Sequence, residues 1–430
     1  MGDSSHSFCN YEPSVTYEQT MTKQRYFFLV LILGFLIALS PFSIDMYLPA
    51  FEDIAASLHT TSARVDLSLS SYFIGLAFGQ LLYGPLMDRF GRKKPLYGGL
   101  CFYIIASVGC AMSSSVQMLI AFRLFQALGG CAASVASVAM VRDLFPVEDN
   151  AKVYALLFVV LGASPLLAPT AGSYLTLAFG WHSVFIVLMS LAVLVLLAAV
   201  FALPESYKPD PTYSLKPGPI IKNFMKVIRN AQFYTYAISG AMAFCGLFAY
   251  VAGSPLVFMG VFGLSKTQFG WVFAGIAVGF IGSGQINSLL LKRFKSEQMV
   301  AFSTISQFII SVLFLVGALN GWLNLGGTIA MIFLALCCVG MTNPNTSALS
   351  MAPFSRNAGV ASALLGAMQL GLGSVSSSAV SIFSSAKSVV PLAAIMAVTA
   401  CIALGVLLIG RRHIVDKVEV DTSAAVGAGH

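Results

Sequence analysis

Twelve apolar runs, each about as long as a membrane-crossing helix, constrain this chain more than any other feature. A helix needs about 20 apolar residues to cross the hydrocarbon core of a bilayer. Of the 430 residues, 57% are hydrophobic and only 10% are charged, whereas a soluble chain carries about 25% charged residues. The sequence therefore predicts an all-α integral membrane protein with spans at 26–49, 65–87, 96–112, 116–141, 151–177, 184–203, 233–251, 267–291, 299–319, 323–349, 359–383 and 389–410.

The basic residues predict which side of the membrane each loop occupies. With twelve spans both termini share a side, and 20 of the 24 Lys and Arg then fall in the termini or in loops on that side. Arg64, Lys266 and Lys387 fall in loops on the other side, and Arg123 lies within a span. Because cytoplasmic loops carry an excess of Lys and Arg, we predict that both termini are cytoplasmic.

One polar stretch divides the chain in two. Residues 204–229 hold five prolines and five bases, and six spans lie on each side of them. A Gly75-x-x-x-Gly79 pair in the second span is echoed by Gly275-x-x-x-Gly279 in the eighth, which agrees with two parallel halves, although glycine is common in membrane helices. The predicted units are a tail at 1–25, a six-helix bundle at 26–203, a linker at 204–230, a second six-helix bundle at 231–410 and a tail at 411–430.

A short charged block separates the second and third spans. Residues 84–94 contain one acid, Asp88, four bases and three residues that bend the backbone. A turn this charged must lie in water, on the cytoplasmic side by the same charge rule. Its spacing is G-x-x-x-D-R-x-G-R-K, and the plainer interpretation is an ordinary basic loop. The residues that carry the motif are Gly84, Asp88, Arg89, Gly91, Arg92 and Lys93.

Asp45 is the acid that we predict to lie inside the membrane. The other 16 acids fall in termini, loops or span edges. A charged side chain at the bilayer centre costs about 3 kcal/mol or more, so an acid retained there is a candidate for function. A carboxyl that switches between protonated and charged forms in a cavity can carry a proton. The alternative is that Asp45 lies close enough to the surface to be hydrated and structural.

Arg123 is the matching intramembrane base. At a rise of about 1.5 Å per residue, Asp45 and Arg123 both fall roughly 6–10 Å below the outer boundary. Their opposite charges and similar depth predict direct or water-mediated coupling. The alternative is that Arg123 binds backbone carbonyls alone.

Two further groups of residues are candidates for conformational change and for substrate binding. Pro165 and Pro169, spaced i and i+4 in the fifth span before Gly172, bend the helix and predict either a kink at the interface between halves or a hinge. Intramembrane amides and aromatics predict a cavity without fixed charge, although each amide could instead bond a neighbouring helix. The predicted substrate-binding residues are Tyr47, Gln126, Phe244, Phe248, Tyr250, Asn343, Asn345 and Gln369.

Several kinds of chemistry are excluded by what the sequence lacks. It has no G-x-x-x-x-G-K-[ST] phosphate-binding loop, no G-x-S-x-G nucleophile motif and no C-x-x-C or H-E-x-x-H metal motif. Its bases do not form a stripe with interleaved aromatics, so nucleic acid is not an expected partner. We predict a chain that is not an enzyme and needs no cofactor or metal.

The chain resembles the major facilitator superfamily over residues 26–410, and more narrowly the bicyclomycin/chloramphenicol-resistance (Bcr/CflA) branch of drug:proton antiporters. The residues that carry the resemblance are the charged block, Asp45-Met46-Tyr47-Leu48-Pro49, Val141-Arg142-Asp143 and Ala358-Gly359-Val360-Ala361. The resemblance implies two pseudo-symmetric six-helix bundles and proton-driven export of amphiphilic small molecules by alternating access. It implies a proton-linked Asp45, a buried Arg123, a conformational latch in the charged block and an antiporter motif at Pro165, Pro169 and Gly172, where Ser164, Ala168 and Ser173 replace the usual glycines.

With this resemblance, the sequence predicts a monomeric secondary transporter of the bacterial inner (plasma) membrane, powered by the proton gradient. Its predicted partners are protons, a small-molecule drug or metabolite and the bilayer. Three alternatives stay open. They are a proton-coupled importer of a metabolite on the same fold, a receptor or scaffold that does not transport, and a polytopic membrane enzyme, against which the missing motifs argue.

Overall fold

A computed structural model of the chain describes residues 23–145, 147–210, 215–354, 358–383, 388–414 and 418. Within these ranges the protein is helical and has no β-strand, as the sequence predicts. The helices are α1 (Lys23–Asp45), α2 (Phe51–Ser57), α3 (Ser62–Phe90), α4 (Lys93–Ala111), α5 (Val116–Leu144), α6 (Val147–Phe179), α7 (His182–Ala202), α8 (Pro217–Ile228), α9 (Ala231–Pro255), α10 (Lys266–Leu290), α11 (Ser296–Leu319), α12 (Leu325–Met351), α13 (Ala358–Phe383) and α14 (Val390–Gly410).

Eleven segments of the described chain are long and apolar enough to cross a membrane. The predicted fifth span, 151–177, lies within α6, which is 33 residues or about 50 Å long; some side chains of that helix lie outside the described part of the chain. Two elements are additions to the predicted scheme: the short α2, which follows a 3₁₀ turn at Leu48–Ala50, and α8, which lies in the linker.

Polar residues set where several of these helices begin. The side chains of Ser115, Asn230, Ser265 and Asn324 each accept a hydrogen bond from the backbone N–H three residues later. Such a cap satisfies one of the backbone donors that a helix leaves free at its first turn. We call the end of the molecule at Ser115 and Ser265 the opposite face, and the end at Arg92, Arg142 and Arg411 the basic face.

The long helices pack as two bundles, α1 with α3–α7 and α9–α14. The bundles meet along two seams, α3 against α13 and α6 against α10. In both seams the second long helix of one bundle meets the fifth of the other, which is the relation that a two-fold repeat requires. Large apolar side chains such as Phe78, Leu167 and Phe201 remain exposed around the outside, where a bilayer would cover them.

The predicted glycine pairs differ in what they do. A Cβ on Gly75 would lie 2.5 Å from the Leu124 carbonyl oxygen, and one on Gly79 would lie 2.5 Å from the Cβ of Cys131. Gly75 and Gly79 therefore let α3 approach α5 closely. Of the corresponding pair in the second half, Gly279 is crowded by the Phe333 ring, whereas Gly275 has open space around it.

Candidate proton and substrate site

Asp45 lies at the junction of the two bundles, near the opposite face. It is the last residue of α1 and is 6% exposed. The Ser164 hydroxyl of α6 lies near the Asp45 carboxyl, but it does not form a well-aligned hydrogen bond with it. Tyr250 of α9, in the other bundle, lies close enough for a charge on Asp45 to act on its hydroxyl. A carboxyl held between bundles can respond to their relative movement.

Arg123 lies in the middle of the first bundle with no exposed surface. Its Nη1 donates to Gln126 Oε1 at 2.6 Å, and its Nη2 donates to the Ser43 carbonyl oxygen at 3.0 Å. The guanidinium lies over the rings of Tyr72 and Tyr47, at 4.2 and 4.7 Å from their centroids. Cation–π contacts of this kind are worth about 2 kcal/mol or more when desolvated, so aromatic faces replace much of the hydration that the charge has lost.

No ion pair joins Asp45 to Arg123 in this conformation, so the direct coupling predicted from their depths is not formed. The two side chains are instead connected through the backbone, because Arg123 holds the carbonyl of Ser43 two residues before Asp45. The guanidinium Nε has no hydrogen-bond partner. Arg123 therefore fixes the end of α1 and keeps one donor unsatisfied.

Tyr47 and Gln126 belong to this network and do not line an open cavity. Both are fully buried. The Tyr47 hydroxyl forms a hydrogen bond with Ser68 Oγ at 2.7 Å. Gln126 Nε2 donates to Ser107 Oγ at 2.8 Å, and Gln126 Oε1 accepts the hydrogen bond from Arg123. In this conformation the two residues hold the guanidinium in place, which differs from the substrate contact that the sequence predicts.

The second bundle supplies a half-exposed polar pair. Gln369 Nε2 of α13 donates to Asn343 Oδ1 of α12 at 2.8 Å, and both side chains are half-buried. Asn345 is different, because it is buried and donates to Asn287 Oδ1 at 2.7 Å. Asn343 and Gln369 therefore join α12 to α13 while staying partly accessible, whereas Asn345 joins α12 to α10 and is buried.

The predicted aromatic residues of α9 form a wall between the bundles. Phe248 packs edge-on against Phe73 of α3, with ring centroids 4.5 Å apart, and against Phe244 at 5.2 Å. Tyr250 stacks on Phe273 at 5.3 Å, and its hydroxyl has no hydrogen-bond partner. Phe244 is half-buried, and its ring also lies 6.5 Å from that of Phe280 of α10.

Several contacts between the two bundles close the interface between them toward the opposite face. Lys266 Nζ binds Asp53 Oδ2 at 2.5 Å, Ser70 bonds Ser377 at 2.8 Å, and Ser381 lies 2.6 Å from Asp66. The arrangement is that of a transporter closed at the opposite face.

Asp66 is a second buried acid, which the sequence did not single out. Its position at the edge of the second predicted span suggested contact with water. The structure places Asp66 in the second turn of α3, fully buried against α13. Sequence position could not reveal this, because its hydrogen-bond partner Ser381 lies 315 positions away.

α6 passes Asp45 at Gly172, within the predicted antiporter motif. The helix runs without a break through Pro165 and Pro169, so the prolines do not act as a visible hinge here. A Cβ on Gly172 would overlap the carbonyl oxygen of Met46. Glycine at this position is what allows α6 to lie directly against the end of α1 that carries Asp45.

Replacing Gly172 with alanine is expected to destabilise the protein by about 1–3 kcal/mol and to reduce transport strongly, because the new methyl collides with backbone that cannot rotate away. Thermal unfolding in detergent and transport in cells would measure both effects. Gly275→Ala is the matched control, since nothing lies near a Cβ there and alanine favours the helix. Equal behaviour of the two variants would contradict the packing argument.

The charged block at the basic face is organised around Arg92. Its Nη1 binds Asp88 and its Nε binds Asp143 of α5, both at 2.9 Å, and its guanidinium lies 4.4 Å from the centroid of Tyr207. Burial lowers the pKa of Arg92, but the bonds to Asp143 and Asp88 outweigh this effect and raise it. Arg92 is thus a permanent cation that ties three segments together.

Glu205, which follows α7, is a member of this group that sequence reasoning missed. Its carboxylate accepts the backbone N–H groups of Arg92 at 2.7 Å and Lys93 at 3.2 Å. These are free donors at the start of α4, where the helix dipole also favours an anion. Gly91, with φ +84°, lies against the same carboxylate. Arg89 and Lys93 lie over the rings of Phe90 and Tyr97.

Comparisons with known proteins agree with this geometry. The family model described as the Major Facilitator Superfamily matches residues 33–378. The chain is 35% identical to the uncharacterized MFS-type transporter YdgK of Bacillus subtilis (strain 168), over 87% of this chain and 93% of that protein. It is 32% identical to the bicyclomycin resistance protein homolog of Haemophilus influenzae, over 82% and 89%. It is 30% identical to the multidrug resistance protein MdtL of Escherichia coli, over 78% and 83%.

Solved structures show the same fold. A D-xylose-proton symporter superposes with a TM-score of 0.68 at 15% identity, over 90% of this chain and 97% of that one. A bacterial homolog of the human lysosomal transporter Spinster, in an inward-facing and occupied conformation, superposes with a TM-score of 0.66 at 13% identity, over 91% and 97%. The family makes this protein a multi-pass membrane transporter and not an enzyme, as predicted. The chain belongs to the Major Facilitator Superfamily, in its Bcr/CflA-like drug-transporter branch.

Proposed function

We propose that this protein exports small amphiphilic molecules from the cytoplasm of a bacterium in exchange for protons. The observation that carries the proposal is the position of Asp45, a buried carboxyl at the closed end of the interface between bundles, with Tyr250 of the other bundle beside it. The names of two relatives refer to bicyclomycin and multidrug resistance, which supports export and drugs as the substrate class.

The proposed substrate site lies between the bundles on the basic side of the Phe73–Phe248 contact. Its walls offer the aromatic face of Phe244 and the amides of Asn343 and Gln369. Such a surface suits an amphiphilic ligand, because aromatic rings bind its apolar part and amides orient its polar groups. None of the residues in this set carries a charge, so a strongly anionic or cationic metabolite would lack a partner.

In the proposed cycle the basic face is cytoplasmic, and the conformation described here receives substrate from the cytoplasm. Substrate binding favours loss of the proton from Asp45 toward the cytoplasm, and the resulting carboxylate lies in the same bundle as the Arg123 guanidinium. The bundles then open outward, substrate leaves, and a proton from outside returns to Asp45. Coupling requires that proton and substrate favour different states, because a ligand with equal affinity for both shifts nothing.

The charged block is proposed to act as a latch within this cycle. In this conformation Arg92 forms ion pairs within the first bundle, with Asp88 and Asp143. When the cytoplasmic side closes, Asp88, which is partly exposed, becomes available to the second bundle. The latch therefore affects the rate of switching and does not take part in proton transfer.

Drug susceptibility in an efflux-deficient bacterium tests the proposal. Cells that express the wild type should survive higher concentrations of at least one amphiphilic compound than vector cells. Cells with Asp45→Asn at equal membrane abundance should lose that advantage, whereas cells with Glu52→Gln, a change at an exposed acid of α2, should keep most of it. Uptake of a nutrient without any resistance would favour the importer, and full resistance with Asp45→Asn would overturn the proposed role of this carboxyl.

A further inference from the structure

A second buried carboxyl, separate from the Asp45 site, lies where the bundles meet at the opposite face. Asp66 belongs to α3 and has no exposed surface. Its neighbour across the seam is Ser381 of α13, and one turn deeper Ser70 meets Ser377. We propose that Asp66 is a second proton-binding site, and that it must hold a proton for the α3–α13 seam to close at the opposite face.

The hydrogen bonds of Ser381 favour the protonated acid. Ser381 Oγ lies 2.6 Å from Asp66 Oδ2 and 3.0 Å from the carbonyl oxygen of Ser377. A hydroxyl has one proton and cannot donate to both acceptors at once. If Asp66 carries a proton on Oδ2, it donates to Ser381 Oγ, which in turn donates to the Ser377 carbonyl. Both short contacts are then satisfied.

The other carboxyl oxygen supports the same conclusion. Asp66 Oδ1 is buried and has no hydrogen-bond partner. A carboxylate at this position would keep one hydrogen bond at most, and in the described part of the chain no basic side chain pairs with it. A buried charge without a partner costs several kcal/mol, whereas a protonated acid avoids most of that cost.

The groups around Asp66 do not supply a compensating charge. Tyr47 is the titratable side chain within electrostatic range, and its hydroxyl is engaged by Ser68. Arg64, on the same helix, is exposed to solvent. Lys266, from α10, is bound to Asp53. From α13 the hydrogen-bonding neighbour of Asp66 is the neutral Ser381.

As a consequence, closure of the seam at the opposite face depends on pH. The opposite face is the outside of the cell under the proposed function, on which this inference rests. When the seam opens, water reaches Asp66 and the carboxylate is stabilised. Closure then requires a proton from outside. Acid outside therefore favours the closed seam and alkali favours the open one, which is the direction that an antiporter needs for its return step.

Accessibility of an introduced cysteine tests the proposal. Ser374 lies on the same face of α13 as Ser377 and Ser381 and is buried, so Ser374→Cys should react with a membrane-impermeant maleimide only when the seam opens. Labelling is measured in right-side-out vesicles, and the labelling of the protein that lacks this cysteine is subtracted. The remaining labelling should rise several-fold from external pH 5.5 to 8.5. Asp66→Asn should give low labelling at both pH values, because the amide stays neutral and permits closure.

Two further variants keep the test decisive. Ser381→Ala removes the acceptor for the proton of Asp66, so the midpoint of labelling should move by about one pH unit toward acid. Asp45→Asn should abolish transport while the labelling keeps its dependence on pH, which separates this inference from the proposed function. Wild-type pH dependence in Asp66→Asn, or an unshifted midpoint in Ser381→Ala, would overturn the inference.

Discussion

Arg123→Lys is expected to lower drug export to below about a tenth of the wild-type rate while the protein still reaches the membrane. The guanidinium binds Gln126 and Ser43 through different nitrogens and lies over two tyrosine rings. A lysine ammonium is a compact point charge that cannot reproduce this geometry, and it loses its proton readily when buried. Because Ser43 lies two residues before Asp45, the variant should also release the end of α1.

Export of a fluorescent substrate from energised cells, normalised to protein in the membrane, would measure this effect. Arg64→Lys is the matched control, since Arg64 is exposed at the start of α3 and its replacement should leave export unchanged. Wild-type export by Arg123→Lys would show that the buried charge needs no defined geometry and would contradict the role assigned to it.

Asp45→Asn is expected to reduce strongly the dependence of drug binding on pH. In an antiporter the drug and the proton favour different states, so the wild type should bind drug more tightly as pH rises through the titration of Asp45, and each binding event should release protons. The asparagine variant cannot release a proton from this position. Its affinity should therefore change much less with pH, and the change that remains should come from closure of the Asp66 seam.

Binding of a neutral drug to purified protein, measured by calorimetry in buffers of different ionisation enthalpy, reports both the affinity and the number of protons released. Asp88→Asn is a suitable control, because Asp88 belongs to the latch at the basic face and should slow transport without changing proton release. A dependence of affinity on pH that is as large in Asp45→Asn as in the wild type would mean that another group, with Asp66 as the first candidate, accounts for proton coupling.

The sequence predicted the fold well because the bilayer leaves few choices. Apolar runs long enough to span must be helices, and the distribution of 24 basic residues chooses one topology among many. The short helix α2 and the linker helix α8 were not predicted, because neither is long enough to register as a span.

The site was predicted less completely, since it depends on contacts between distant parts of the chain. Asp45 and Arg123 stand out by their charge alone. That Gln126 supports Arg123, or that Glu205 binds the start of α4, follows from packing that spacing does not encode. Asp66 shows the same limit, because its burial depends on a helix that the sequence places at the other end of the protein.

Proton movement driven by a drug gradient tests the central claim most directly. Proteoliposomes with a trapped pH dye, equal pH on both sides and a clamped membrane potential would receive an external neutral drug to which the protein confers resistance. The account predicts that drug entry expels protons, so the lumen becomes alkaline with the wild type and stays unchanged with Asp45→Asn. Acidification of the lumen, or drug entry without proton movement, would contradict proton antiport.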